Sequence, residues 1–132
     1  MRGAAAHDRI AERWSDFVVD GLGIRCVDDR PWVTGAETCE LVMALDTMGE
    51  RVRARQQFAA MQHLREVDGS YWTGLVFADG KRWPVERTTW TGAAMILAAD
   101  SLSGTTGGSG IFRDDELPRG LEGDYDCECV RS

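Results

Sequence analysis

The sequence predicts an all-α protein of about four main helices, stacked as helical hairpins and followed by an acidic C-terminal tail. Two observations carry this. Four segments space their apolar residues at the helical period, and glycine or turn residues stand where each should stop. A weak internal repeat then pairs them: an amphipathic helix, a loop of Gly, acidic and Trp residues, and an apolar helix, twice over.

Residues 5–20 place Ile10, Trp14, Phe17 and Val18 on one stripe, and Gly21-Leu22-Gly23 ends that helix. Residues 24–32 hold Asp28-Asp29-Arg30-Pro31 and read as a turn-rich connection. Thr34 or Gly35 then starts a second helix with Leu41, Val42, Leu45 and Met48 on its core side, and Gly49 sits where a C-terminal cap belongs. A third helix, residues 51–67, aligns Ala54, Phe58, Met61 and Leu64 until Asp68-Gly69 stops it. The aromatic, Gly-rich stretch 70–83 carries Asp79-Gly80 as a turn signal, so a short hairpin and a structured loop both fit. The fourth helix runs from Val85 or Glu86 to Leu102, and residues 93–99 are apolar around most of its circumference, as in a helix buried on several sides. Residues 103–110 read as a flexible connector, Ile111-Phe112 as a docking pair, and residues 113–132 as an acidic tail. Two units result, a helical-hairpin domain over 1–112 and the tail over 113–132.

At 132 residues the chain has the size of one domain, and 43% hydrophobic residues with five Trp suffice for a modest core. Fifteen Lys+Arg against 22 Asp+Glu give a formal charge of −7, the wrong sign for generic nucleic-acid binding. No apolar stretch reaches membrane-span length and no signal-peptide core opens the chain, so a cytoplasmic location and no membrane span are expected. Cys26, Cys39, Cys127 and Cys129 are then reduced thiols. Cys127-Glu128-Cys129 offers two of the four ligands a structural zinc requires, so no metal site and no cofactor are expected.

The most informative stretch is Gln62-His63-Leu64-Arg65-Glu66-Val67-Asp68-Gly69-Ser70-Tyr71-Trp72. It resembles the QW repeat of squalene and oxidosqualene cyclases, where an outer-helix Gln precedes a Gly-x-Trp turn, with Tyr71 here an insertion. Glycine permits the sharp helix exit, the indole packs on the helix end, and the Gln amide bonds free backbone groups. With residues 83–91 and Glu37-Thr38-Cys39-Glu40, the region 5–112 looks like the C-terminal part of actinobacterial prenyltransferase or squalene-cyclase-repeat-like proteins. The resemblance implies part of an α/α toroid, helices one and three outer and two and four inner, with a reaction chamber at the helix ends. Roughly a third of such a ring is present, by the logic of stacked repeats. The remainder then comes from a larger polypeptide, another subunit or self-association as a homo-oligomer. The implied ligand is an isoprenoid or another hydrophobic small molecule.

The chemistry of those families is not encoded in this chain. No Asp-x-Asp-Asp occurs, since Asp28-Asp29, Asp114-Asp115 and Asp124-Tyr125-Asp126 all fail the pattern, and no Asp stands two before a Cys as prenyltransferase zinc binding needs. What remains lies at the starts of the inner helices: Glu37 and Glu86 as candidate acid or base, and Trp72, Trp83, Trp90, Arg87 and Thr89 as substrate contacts, beside Trp32, Tyr71, Glu40 and Thr88. Against this stands a purely structural reading: glutamates complementing helix dipoles, Thr88 or Thr89 capping, and Trp filling gaps. His63 reads as a packing residue, and Arg51, Arg53 and Arg55 as a solvated face. Three functions follow: one wall of a hydrophobic isoprenoid-type chamber; a noncatalytic interaction or scaffold module using the same apolar arc; or an α/α toroid acting on carbohydrate, where a Glu pair and Trp platforms also fit.

Overall fold

The structure, a computed structural model, describes residues 3–113. Four helices are present among them: α1 (Ala4–Phe17), α2 (Gly35–Thr47), α3 (Arg51–Ala60), continued by a 3-10 turn (Met61–Leu64), and α4 (Thr89–Ser103). So is a five-stranded antiparallel sheet: β1 (Val18–Val19), β2 (Gly23–Arg25), β3 (Trp32–Thr34), β4 (Gly74–Val76) and β5 (Lys81–Arg82), ordered β1-β2-β3-β4-β5. The all-α expectation is therefore corrected to a mixed helix-and-sheet fold. Each strand has two or three residues, too few for the period-2 alternation that marks a strand in sequence. The central pairing is also remote in sequence. β3 meets β4 with Val33 opposite Leu75, across the whole of α2 and α3.

The helix boundaries move for the same reason. The stretch 24–32, expected to be a turn-rich connection, opens in β2 and ends at β3. The third helix stops its α-helical run at Ala60, and Arg65 is extended and bridges Tyr71, so residues 65–67 leave the helix. The Asp79-Gly80 signal marks a true hairpin turn between β4 and β5. α4 begins at Thr89, where the Thr88 hydroxyl caps it by accepting from the Thr91 N–H at 3.2 Å. Glu86 and Arg87 consequently precede the helix.

The core lies between α2 and α4, which run parallel in a fixed register. A Cβ on Gly35 would stand 3.0 Å from Thr91 Cγ2. The Cys39 thiol meets Met95 Sδ at 3.2 Å, and Ser101 Oγ donates to Asp46 Oδ2 at 2.8 Å. Small residues at the contact let the axes approach, and Val42, Leu45, Met61 and Leu64 close the core around it. α4, expected to be buried on several sides, is covered on one.

At the far end of this pair Asp46 is 3% exposed, in the last turn of α2, where the helix dipole opposes a carboxylate. Two guanidiniums compensate. Arg51 Nη1 pairs with Asp46 Oδ1 at 2.9 Å while its Nη2 donates to the Leu102 carbonyl at 2.9 Å. Arg113 Nη1 pairs with Asp46 Oδ2 and also donates to the Ser101 carbonyl. The cations thus serve both the buried acid and the open carbonyls ending α4.

The connector after α4 is pinned where flexibility was expected: Thr106 donates its N–H and hydroxyl to Asp100, at 2.8 and 2.6 Å. Phe112 docks by its carbonyl, which accepts from Thr47 Oγ1, and lines the groove between α1 and α2 with its side chain still exposed. The predicted tail beyond Arg113, with Cys127 and Cys129, lies outside the described residues. Among the described residues no helix is long and apolar enough to cross a membrane.

Two substitutions test this account. Asp46→Ala leaves two guanidiniums facing a cavity and should lower stability by about 3 kcal/mol, at the low end of the buried-pair range because both cations reach solvent. Gly74→Ala should also destabilise, by about 1–3 kcal/mol, since the new Cβ would lie 2.7 Å from the Val33 carbonyl and 2.8 Å from that of Trp83. Urea unfolding followed by tryptophan fluorescence checks both.

Candidate functional site

The sheet is tied to the N-terminal ends of α2 and α4. Thr38 Oγ1 accepts from the Ile24 N–H at 2.9 Å and donates to the Thr34 carbonyl at 2.6 Å, joining the first turn of α2 to β2 and β3. The Gly35 N–H donates to the Thr73 carbonyl, and the Thr73 N–H to the Glu86 carbonyl, each at 3.0 Å. The strand layer and both helix starts are one hydrogen-bonded platform.

Glu37 occupies the first turn of α2, half-buried, where a carboxylate complements the helix dipole. Beside it stands the exposed Cys26, just past β2. Partial burial, and then the Glu37 carboxylate, push the Cys26 thiol above its ordinary value. Cys39, one turn into α2 and fully buried, is pushed up to about 12 by burial and secondarily by Glu40.

Trp83 follows β5 and is held by its N–H to the Gly74 carbonyl at 3.1 Å. Its ring stacks on Trp32 with centroids 3.8 Å apart and planes at 23°. One indole face is thus covered, and the residue remains 43% exposed.

The other predicted substrate contacts separate from this end pair. Trp72 and Arg87 do come together, with the guanidinium 4.9 Å from the indole centroid, but both are internally engaged. Trp72 Nε1 donates to Glu66 Oε1 at 2.5 Å, and Arg87 Nη1 donates to Asp68 Oδ2 at 3.0 Å and to Ser70 Oγ at 2.8 Å. Hydrogen bonds from Ser70, and then Arg87, hold the Asp68 carboxyl below the usual range. Tyr71 completes this tie, its hydroxyl donating to Gln62 Oε1 at 2.8 Å while Gln62 Nε2 donates to the Phe58 carbonyl at 2.9 Å.

Thr89 and Trp90 open α4 on its exposed side, Trp90 being 62% exposed. Glu86 is exposed, and among the described residues its carboxylate has no hydrogen bond, to Glu37 or to any other group. His63 is a tie, its Nε2–H donating to the Leu22 carbonyl at 2.9 Å. Of the three arginines expected on a solvated face, Arg51 serves Asp46 and Arg53 lies 5.1 Å from the Trp14 ring centroid.

A groove of about 480 Å³ between α1 and α2, lined by Ile10, Glu40, Met43, Thr47 and Phe112 among others, contains neither Glu37 nor Trp83. It is an apolar crevice beside the helices and not the platform. No group of three or more His, Cys, Asp or Glu able to hold a metal occurs among the described residues.

Sequence reasoning missed the Cys26–Glu37 contact and the Trp32–Trp83 stack. Both cross between elements and leave no local pattern. Thiol chemistry tests the first. Cys26 should react with iodoacetamide in the native protein while Cys39 stays protected, and Glu37→Gln should shift the Cys26 rate profile to lower pH because the opposing negative charge is gone. Peptide mass mapping resolves the sites; an unmoved profile would disprove the contact.

No family model matches the chain. The MMP endo-(1,4)-3-O-methyl-α-D-mannosidase of Mycolicibacterium hassiacum is 76% identical to it over 132 residues, which is 100% of this chain and 37% of that relative. This finding corrects the resemblance to terpenoid cyclases and prenyltransferases, and with it the isoprenoid-type chamber. The Gly69–Trp72 turn is a helix-exit tie engaged with Glu66 and Arg87, a local geometry that marks no particular chemistry. The chain is similar to just over a third of a glycosidase.

Proposed function

We propose that this chain forms part of a glycoside hydrolase that cleaves internal (1,4) linkages between 3-O-methyl-α-D-mannose units. The observation that carries the reading is the 76% identity to the Mycolicibacterium hassiacum mannosidase along all 132 residues. The platform supports it with the two things such a reaction uses, a carboxylate and an aromatic surface.

Glycoside hydrolysis breaks the bond from the anomeric carbon to the bridging oxygen. One carboxyl group protonates the leaving oxygen, and a second assists water or attacks the anomeric carbon. Glu37, half-buried on a rigid helix start, is the carboxylate we assign; Glu86, exposed before α4, is the second candidate. Trp83 presents one free indole face. A 3-O-methyl group replaces a hydroxyl hydrogen with an apolar methyl, which an indole face accommodates without an unpaired donor.

The assay uses the mannosidase relative with this chain substituted for its matching stretch, acting on a (1,4)-linked 3-O-methyl-α-D-mannan oligosaccharide. Release of reducing ends is expected, with a loss of about 100-fold or more in Glu37→Gln at an unchanged thermal midpoint. Trp83→Ala should raise KM more than it lowers kcat. Loss in Glu86→Gln as well identifies the pair, and loss in Glu37→Gln alone puts the second carboxylate elsewhere in the polypeptide. An inactive chimera beside an active relative would overturn the proposal.

A further inference from the structure

α4 has two apolar faces, and the described chain covers one. At about 100° per residue, Thr91, Ala94, Met95, Ala98 and Ser101 fall within one arc of roughly 120° and are buried. Trp90, Ala93, Ile96 and Leu97 fall within an opposite arc of similar width, and all four are exposed, Ile96 by 71% and Trp90 by 62%. No residue from Thr89 to Ala99 is charged; the helix's single ionisable group, Asp100, falls on the exposed arc near its C-terminal end and is engaged by Thr106. From Trp90 to Leu97 the arc exposes only apolar side chains and an indole, a contiguous patch of the kind that is covered in an assembled protein.

We propose that this face of α4 docks against the polypeptide corresponding to the part of the mannosidase relative that this chain does not match. Two observations select that occupant. The relative continues well beyond the matched 37% of its length, so further chain accompanies this segment there. A second copy would bring together two chains of formal charge −7. The inference rests on the same relative as the proposed function but not on Glu37 or on any reaction.

Hydroxyl-radical footprinting tests it, comparing this chain alone with the chimera described above. Oxidation of Trp90, Ile96 and Leu97, normalised to the exposed Val52 and Val67, should fall about tenfold in the chimera, as expected when an open helix face becomes a packed one. Leu97→Asp should lower the chimera's thermal midpoint and leave that of the chain alone unchanged. Equal oxidation in the two proteins overturns the proposal, as does a chimera without cooperative unfolding. So does a stable dimer of this chain, by light scattering, that protects the same three residues. A chimera protected at α4 but inactive on the mannan would sink the proposed function and leave the docking intact.

Discussion

The parallel contact of α2 and α4 is the constraint on which the rest of the structure depends. It requires small residues at the crossing, met by Gly35 against Thr91 and Ala94 and Ala98 farther along. Strands of two or three residues have no independent stability. The sheet persists because Thr38, Gly35 and Thr73 hydrogen-bond it to the helix starts. At the opposite end the same register sets Ser101 against Asp46, where Arg51 and Arg113 neutralise the acid and cap α4 together. Desolvating that carboxylate is expensive, and it is tolerated because its partners also satisfy carbonyls otherwise left open.

Much of the helical skeleton was legible. Of the predicted stripes, Leu41, Val42 and Leu45 and Ala54, Phe58, Met61 and Leu64 lie in or against the core, while Met48, at the end of α2, does not; burial and the 3.6 period act within one segment. Of the two caps the sequence offered, Thr88 and Thr89, the structure uses Thr88, whose hydroxyl can accept from an open first-turn N–H. The sheet was not, since its pairings join residues tens of positions apart through main-chain groups that carry no residue code. The end of α3 was misjudged because Leu64 keeps helical spacing although its backbone has tightened into a 3-10 turn, and because tertiary bonds to Tyr71 and Trp72 redirect the chain. The candidate site was legible in part. Glu37 does lie in the first turn of α2 and Thr89 and Trp90 open α4, but Glu86 and Arg87 precede that helix and Trp72 and Trp83 flank the β4–β5 hairpin, and whether an indole or a guanidinium is free or engaged is a property of neighbours brought from other elements.

That distinction separates two of the three tryptophans first grouped as substrate contacts, Trp72 and Trp83. Trp72 has a guanidinium on its ring and its N–H on Glu66, so binding a ligand there would break charge-assisted contacts before making new ones. Trp83 has one face on Trp32, which fixes the ring's orientation, and its other face is open. A ring already immobilised by a neighbour loses little conformational freedom when a second apolar surface arrives. Between two similar side chains on either side of the β4–β5 hairpin, the stack makes one a platform, and the guanidinium and carboxylate contacts make the other a clasp.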